Sequence, residues 1–245
     1  LFRALLDVQE LGILVTPMQL LYEQITGRVP IEFIGDSWYV TLPLRHASTG
    51  GVYPFFNRIF DLAFSLIGVM GLGVILPFIW LAMRFDSPGP MFYSQERVGQ
   101  GGRTFRVWKI RTMVVDAEKG GKAIWATKND PRITRLGKLL RKLHLDEAPQ
   151  FFSILRGEMS VVGPRPERPE FVAQLEKKIP FYRLRHAVKP GMAGWAILHA
   201  GYVDSEDDAR LRVEYDLYYI KHQSIWFDLW ILIRMFGHVL AFKGQ

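Results

Sequence analysis

At 245 residues the chain has room for one catalytic domain and an appendage, since domains commonly run to about 100–200 residues. Nearly half of it is apolar and 13% is aromatic, enough to fill a core without staples, so a small stapled scaffold is set aside. It has no cysteine and a net charge of +7, which excludes disulfides, thiolate chemistry and Cys-based zinc sites and points to a partner that carries negative charge.

In chain order, Leu1 opens the sequence without an initiator methionine or a charged-then-apolar leader, and the chain is read as part of a longer protein. Residues 1–45 are expected to be the end of an α/β unit. Ile13, Leu14 and Val15 suit a buried strand. Thr16 is then the N-cap of a helix with Pro17 at its first position, an apolar stripe at Leu20, Leu21 and Ile25, and Gly27 closing it. Residues 46–57, with the Gly50-Gly51 pair, read as a linker.

Residues 58–85 carry a membrane segment. From Leu62 to Met83 there are 22 residues without a charge, a straight helix of roughly 33 Å, which is long enough to cross a bilayer. Arg58 and Arg84 flank both ends, so charge gives the segment no preferred orientation. Pro77 lies inside it and removes a backbone hydrogen bond. A re-entrant helix that bends at Leu76–Pro77 and returns to the same face fits both facts; a simple span is the alternative.

Residues 86–245 form the remaining domain. Asp86–Pro90 is a turn cluster, and two strand-like runs flank Gly99-Gln-Gly-Gly102, which reads as a hairpin connection and not as a phosphate-cradling loop. Five basic residues fall between Arg97 and Arg111, and six between Lys128 and Lys142 against the single acid Asp130. Nucleic acid, anionic headgroups and a nucleotide-sugar diphosphate all fit such clusters. The aromatics sit in apolar runs instead of alternating with the basic clusters, which argues against nucleic acid. Residues 132–145 read as a basic amphipathic helix at the membrane interface, with Ile133, Leu136, Leu140 and Leu143 on one face. The apolar stretch 225–242 is interrupted by Asp228, Arg234 and His238, so it is expected to pack on the domain or lie in the interface. The fold class expected is α+β, predominantly helical.

The chemistry concentrates at Leu145-Asp-Glu-Ala-Pro-Gln150. Asp146 falls where a helix N-cap belongs, and a carboxylate there is kept ionised by the helix dipole. Glu147 offers hard oxygens to Mg²⁺, which binds through one or two carboxylates plus phosphates. Arg165, between two prolines in Gly163-Pro-Arg-Pro-Glu167, is held in a rigid setting suited to bidentate phosphate contact.

The ordered blocks RVGQGGRTFRVWKIRTM, NDPRITRLG, LLRKLHLDEAPQ, MSVVGPRPE, KPGMAGWA and EYDLYYI resemble the bacterial sugar transferases known as monotopic polyprenyl-phosphate phosphoglycosyl transferases. The resemblance covers residues 54–245, and residues 1–45 look like the tail of the nucleotide-binding-like domain found upstream in long members, some tied to exopolysaccharide or exosortase loci. It implies transfer of a sugar phosphate from a UDP-sugar to undecaprenyl phosphate at the cytoplasmic face of a bacterial inner membrane. Asp146 would be the nucleophile and Glu147 the Mg²⁺ ligand. Lys109, Arg111, Arg141 and Arg165 are implied to neutralise phosphate oxygens, and Asp216 to assist or simply to be a polar helix residue. Membrane lipid and a homodimeric assembly join the expected partners; nucleic acid does not. The chain departs from the family pattern at Leu76, where a serine often precedes the proline, and at Ile197 and His199, where many members have Gln and Asn. The rival reading is a non-catalytic basic protein that docks on membranes or assembly partners.

Overall fold

The computed structural model describes residues 2–33, 51–115, 117, 130–200 and 205–240; Lys128, residues 34–50 and the end of the 225–242 stretch lie outside the described residues. The architecture is mostly helical, as expected, with a β-hairpin and one short parallel strand pair.

At the start, α1 (Phe2–Glu10) is a helix the sequence reading missed. The buried strand expected at Ile13–Val15 is absent: these residues belong to no strand and are exposed, with Leu14 at 88%. An apolar triplet becomes a strand only where a neighbouring strand takes up its backbone groups, and among the described residues none lies beside it. Helix α2 (Met18–Thr26) is present, with Pro17 in the cap position in place of Thr16 and Gly27 closing it at φ 65°. A left-handed residue here is cheapest as glycine. Beyond α2, Val29 and Ile31 are wholly buried in the same core as residues 98–231, worth about 1.5–3 kcal/mol for each such side chain. Glu23 pairs with Lys221, and Trp195 Nε1 donates to the Gly27 carbonyl at 2.7 Å.

Helix α3 (Tyr53–Asp86) takes in residues 53–57 of the expected linker, because Pro54 fits the first turn and the Tyr53 hydroxyl donates to Asp228 at 2.6 Å. It runs as one helix of 34 residues through Pro77, and among the described residues it alone is long and apolar enough to cross a membrane. One stripe, Asp61, Ser65, Leu72, Ile79 and Met83, is buried along the domain. Gly68 makes this approach possible, since a Cβ there would overlap the Phe151 ring. Most of the remaining surface is apolar and exposed, including Phe55, Ile67, Met70, Val74, Phe78 and Phe85.

The hairpin expected around Gly99–Gly102 is formed by β1 (Phe92–Val98) and β2 (Thr104–Ile110), antiparallel with Tyr93 opposite Lys109. The basic helix is shorter than expected: α4 (Arg135–Lys142) starts at Thr134, whose Oγ1 accepts from Gly137 N, while Ile133 is held in a bridge to Met113. After a 3₁₀ turn (Leu145–Gln150) come α5 (Phe151–Arg156), β3 (Ser160–Val162), α6 (Pro169–Leu175), a second 3₁₀ turn (Tyr182–Ala187), β4 (Gly191–Ala193) and α7 (Trp195–Ala200). Strands β3 and β4 pair in parallel, and Gly163 and Gly191 meet backbone to backbone, leaving no room for a Cβ on either. Helix α8 (Glu206–His222) begins in a capping box between Ser205 and Asp208. Helix α9 (Ile225–Leu240) buries Asp228 and Ile231 against the core and exposes Trp226, Ile233 and Phe236, so it both packs on the domain and carries an apolar outer face.

Candidate active site

Three elements converge on the Asp-Glu pair. Strand β2 brings Lys109, the loop after β3 brings Arg165, and the 3₁₀ turn that follows α4 carries Asp146 and Glu147. His144, in the left-handed conformation at φ 55°, turns the chain out of α4. Because that turn starts immediately, Asp146 sits inside it and is not the N-cap expected; Gln150 occupies the boundary with α5, without a side-chain cap bond.

The two adjacent carboxylates are both buried, at 8% exposure each, yet their surroundings are opposite. Glu147 Oε1 accepts from Lys109 Nζ at 2.6 Å and from Arg165 Nη2 at 2.5 Å, and Oε2 accepts from Arg165 Nη1 at 3.2 Å. Burial opposes its ionisation, but Arg165 and Lys109 outweigh that and hold its carboxyl well below the usual range. The Asp146 carboxylate has no hydrogen-bond partner among the described residues. Its carboxyl is pushed up, first by burial and then by the charge of Glu147, against the pull of Lys109, Arg141 and Arg165. A helix cap was expected to keep it ionised; the actual balance runs the other way, because the turn buries it beside a second carboxylate. Lys109 itself is lowered by burial, with Glu147 opposing.

Arg141 lies near enough to act on Asp146 and is steered by Thr112, whose Oγ1 accepts from its Nε at 2.9 Å. Arg111 is not brought to the site. Strand β2 ends at Ile110, so the alternation that faces Lys109 inward stops there. The Arg111 guanidinium instead donates to Pro90 O, to Ser87 and to Met113 O, holding the turn after α3. Asp216 stands one layer behind: it accepts from Arg185 at 2.8 Å, and Arg185 also donates to the Arg165 carbonyl at 3.0 Å and to Tyr182. Asp216 is pushed up by burial, and Arg185 opposes this.

Rigidity of the Arg165 loop has a larger source than its prolines. Each carbonyl from Pro164 to Glu167 is bonded, in order, by Gly191 N, Arg185 Nη2, Arg97 Nη1 and Val98 N. Arg212 and Arg97 also pair with the Glu167 carboxylate. Arg97, Arg185 and Arg212 were missed as site residues, although each stands in or beside a recognisable motif block. Of the two departures after Gly194-Trp-Ala, His199 stacks on Tyr215 and lies 3.8 Å from the Trp195 ring; Ile197 is half-buried in α7. Among the described residues no cluster of three or more metal-ligating side chains occurs, so a cation here would rely on the carboxylate pair and on substrate oxygens.

Residues 52–242 match the family described as Bacterial sugar transferase. A UDP-N-acetylgalactosamine-undecaprenyl-phosphate N-acetylgalactosaminephosphotransferase of Aeromonas hydrophila is 39% identical over 222 residues, 91% of this chain and 51% of that protein. The UDP-glucose:undecaprenyl-phosphate glucose-1-phosphate transferase of Escherichia coli K12 is 39% identical over 205 residues, 83% of this chain and 43% of that protein. The chain thus spans about half the length of these relatives. It covers 94% of a shorter one, the exopolysaccharide production protein PSS of Rhizobium leguminosarum, at 39% identity over 76% of its own length. With the Asp-Glu turn, the clamped Arg165 loop and the long apolar helix in place, the chain belongs to the bacterial sugar transferase family.

Proposed function

We propose that the protein transfers a sugar phosphate from a UDP-sugar to undecaprenyl phosphate, through a phosphosugar bound covalently to Asp146. The observation that carries this reading is the asymmetry of the carboxylate pair: the Asp146 carboxylate has no hydrogen-bond partner among the described residues, while Glu147 is held by two cations. An open carboxylate is available as a nucleophile, and the cations beside it are placed to take up phosphate charge. The donor is proposed as a class, because relatives named for N-acetylgalactosamine and for glucose are both 39% identical to this chain over their matched stretches.

In the first step an Asp146 carboxylate oxygen attacks the β-phosphorus of the UDP-sugar. The bond from that phosphorus to the bridging oxygen breaks, and UMP leaves with the oxygen and its electron pair. In the second, an oxygen of undecaprenyl phosphate attacks the same phosphorus, the bond to Asp146 breaks, and the carboxylate is restored as polyprenyl diphosphate sugar departs. Lys109 and Arg165 turn from Glu147 to the donor phosphates, and Arg141 steadies charge on the Asp146 side. Glu147 Oε2, which accepts only from Arg165 among the described residues, and the phosphate oxygens fit Mg²⁺, which when bound would supply further charge neutralisation. Phosphoryl transfer needs such neutralisation and alignment more than acid or base strength.

The membrane placement proposed is re-entrant, at the cytoplasmic face of the inner membrane. Both ends of α3 are fastened to one domain: Tyr53, Arg58 and Asp61 bond to Asp228, Ile154 and Ser160, while Asp86 accepts from Leu136 N. A simple span would carry one end across a hydrocarbon layer of about 30 Å, away from the domain. Burying the apolar face of α3 from the same side as its ends keeps the site at headgroup level, where a soluble donor and a lipid acceptor can use it in turn.

The test is to incubate the protein with UDP-sugar and Mg²⁺ but no lipid. It should release no more than about one UMP per site and acquire the mass of a phosphosugar, mapped to the peptide containing Asp146. Asp146→Asn should stay folded and lose turnover by at least about a thousandfold. Product formed only when both substrates are present, with Asp146→Asn active, would overturn the covalent route; no turnover with any UDP-sugar would favour the docking-protein reading.

A further inference from the structure

We propose that Arg58 and Lys189 form a second phosphate-binding site, which holds the headgroup phosphodiester of a membrane phospholipid against the first turns of α3. The site lies at the far end of α5 from Asp146. Gly157 ends that helix at φ 82°, and a side chain there would have Lys189 Nζ at 3.7 Å and the Arg58 guanidinium carbon at 3.8 Å. The two cations therefore stand together beside Gly157, each within van der Waals reach of the position a Cβ would take. Two oxygens of one phosphate can bridge them, since charge-assisted N–H···O contacts run to about 2.8 Å on each side.

Arg58 is fixed in place by donating to the carbonyls of Ile154 and Leu155, both at 2.7 Å, which still leaves guanidinium N–H groups to give. Lys189 makes no hydrogen bond or ion pair among the described residues, and its charged neighbours are Arg58 and Asp61. The Asp61 Oδ1 is committed to Ser160 Oγ and Val161 N, and its Oδ2 is buried without a partner. One carboxylate against two cations leaves a positive charge uncompensated. Burial first, and then Arg58, lower the Lys189 ammonium, a cost that an arriving anion relieves. Phe55, Phe56 and Ile59, all exposed on the adjoining turns of α3, and Phe152 on α5 offer acyl chains an apolar surface. A cationic pair bordered by exposed aromatic and aliphatic side chains suits a lipid better than free phosphate, which has no use for the apolar border.

The proposal rests on the membrane placement of α3 and not on turnover, so lipid retention tests it separately. The full chain in neutral detergent micelles doped with phosphatidylglycerol should retain one lipid in native mass spectrometry. Lys189→Gln should weaken retention at least tenfold, whereas Lys189→Arg and the exposed control Lys177→Gln should keep it. Unchanged retention in Lys189→Gln, an equal loss in Lys177→Gln, or displacement by millimolar inorganic phosphate would overturn the lipid site. A second measurement needs no variant: reductive methylation of Lys189, followed by peptide mapping, should slow at least tenfold in phosphatidylglycerol micelles relative to undoped ones. An unchanged rate would also overturn it.

Discussion

Glu147 and Asp216 are both buried carboxylates gripped by arginine, and the two clusters do different work. The Glu147 partners keep some access to solvent, with the Lys109 side chain 21% exposed and Arg165 26%, so incoming phosphate can take their place without unfolding anything. The Asp216–Arg185 pair is at 2–3%, out of reach of substrate. It connects α8 through Arg185 to the carbonyl of Arg165. An exchangeable ion pair is thus mounted on a fixed one, and charge that must be handed to a substrate is held by charge that is never released.

Breaking the fixed cluster should have the largest effect. Asp216→Asn leaves Arg185 charged and underpaired in the core and is expected to cost about 3–5 kcal/mol of stability, read from denaturant unfolding in micelles. Replacing both partners with apolar residues, Asp216→Leu with Arg185→Met, should recover most of that stability but not the turnover, because the Arg165 carbonyl has lost its donor. Recovery of both would show the cluster to be packing alone.

The exchangeable cluster should behave in the opposite way. Arg165→Lys keeps a charge beside Glu147 but loses the fork, so turnover should fall about tenfold to a hundredfold. The unfolding midpoint should hardly move, since Lys109 still pairs with Glu147. A stability loss as large as that of Asp216→Asn, with turnover intact, would erase the distinction between the clusters.

What could be read from the sequence follows the same division. The hairpin around Gly99–Gly102, the glycine end of α2 and the apolar run of α3 are local signals and were legible. Asp146, Glu147, Lys109 and Arg165 were legible as motif residues. Arg185, Arg97 and Arg212 were not, because a charged side chain is normally solvated and their place in or beside a motif block does not say which arginine is buried. Arg185 finds Asp216 31 residues away, and Arg97 finds the Pro166 carbonyl at a separation of 69. Arg111 misled for the converse reason: it shares a motif with Lys109, but β2 ends between them. The Ile13–Val15 triplet failed because strand formation depends on a neighbour. The real strands β3 and β4 are three residues long, too short for a period to show, and their local traces are slight: the Val161-Val162 pair in β3, Gly163 just after it and Gly191 in β4.

The smallest expected effect, a displacement of the pH profile, isolates the coupling within the Asp-Glu pair. A nucleophilic Asp146 must be ionised, so activity is present above its pKa and lost as pH falls through it. That pKa is raised by burial and then by the negative charge of Glu147. Glu147→Gln removes the second contribution while leaving the first. It also releases Lys109 and Arg165 from Glu147, and both already pull the Asp146 pKa down. The two consequences have the same sign. The acid limb of the rate profile should therefore move to lower pH in Glu147→Gln, even though the residual turnover is reduced by about a hundredfold through loss of the proposed Mg²⁺ ligand. Single-turnover UMP release, measured without lipid acceptor, confines the reading to the first step. A limb that stayed in place would assign the ionisation to the substrate or to a different residue. A limb displaced to higher pH would mean that Glu147 stabilises the Asp146 carboxylate, and the opposed roles drawn for the adjacent carboxylates would have to be exchanged.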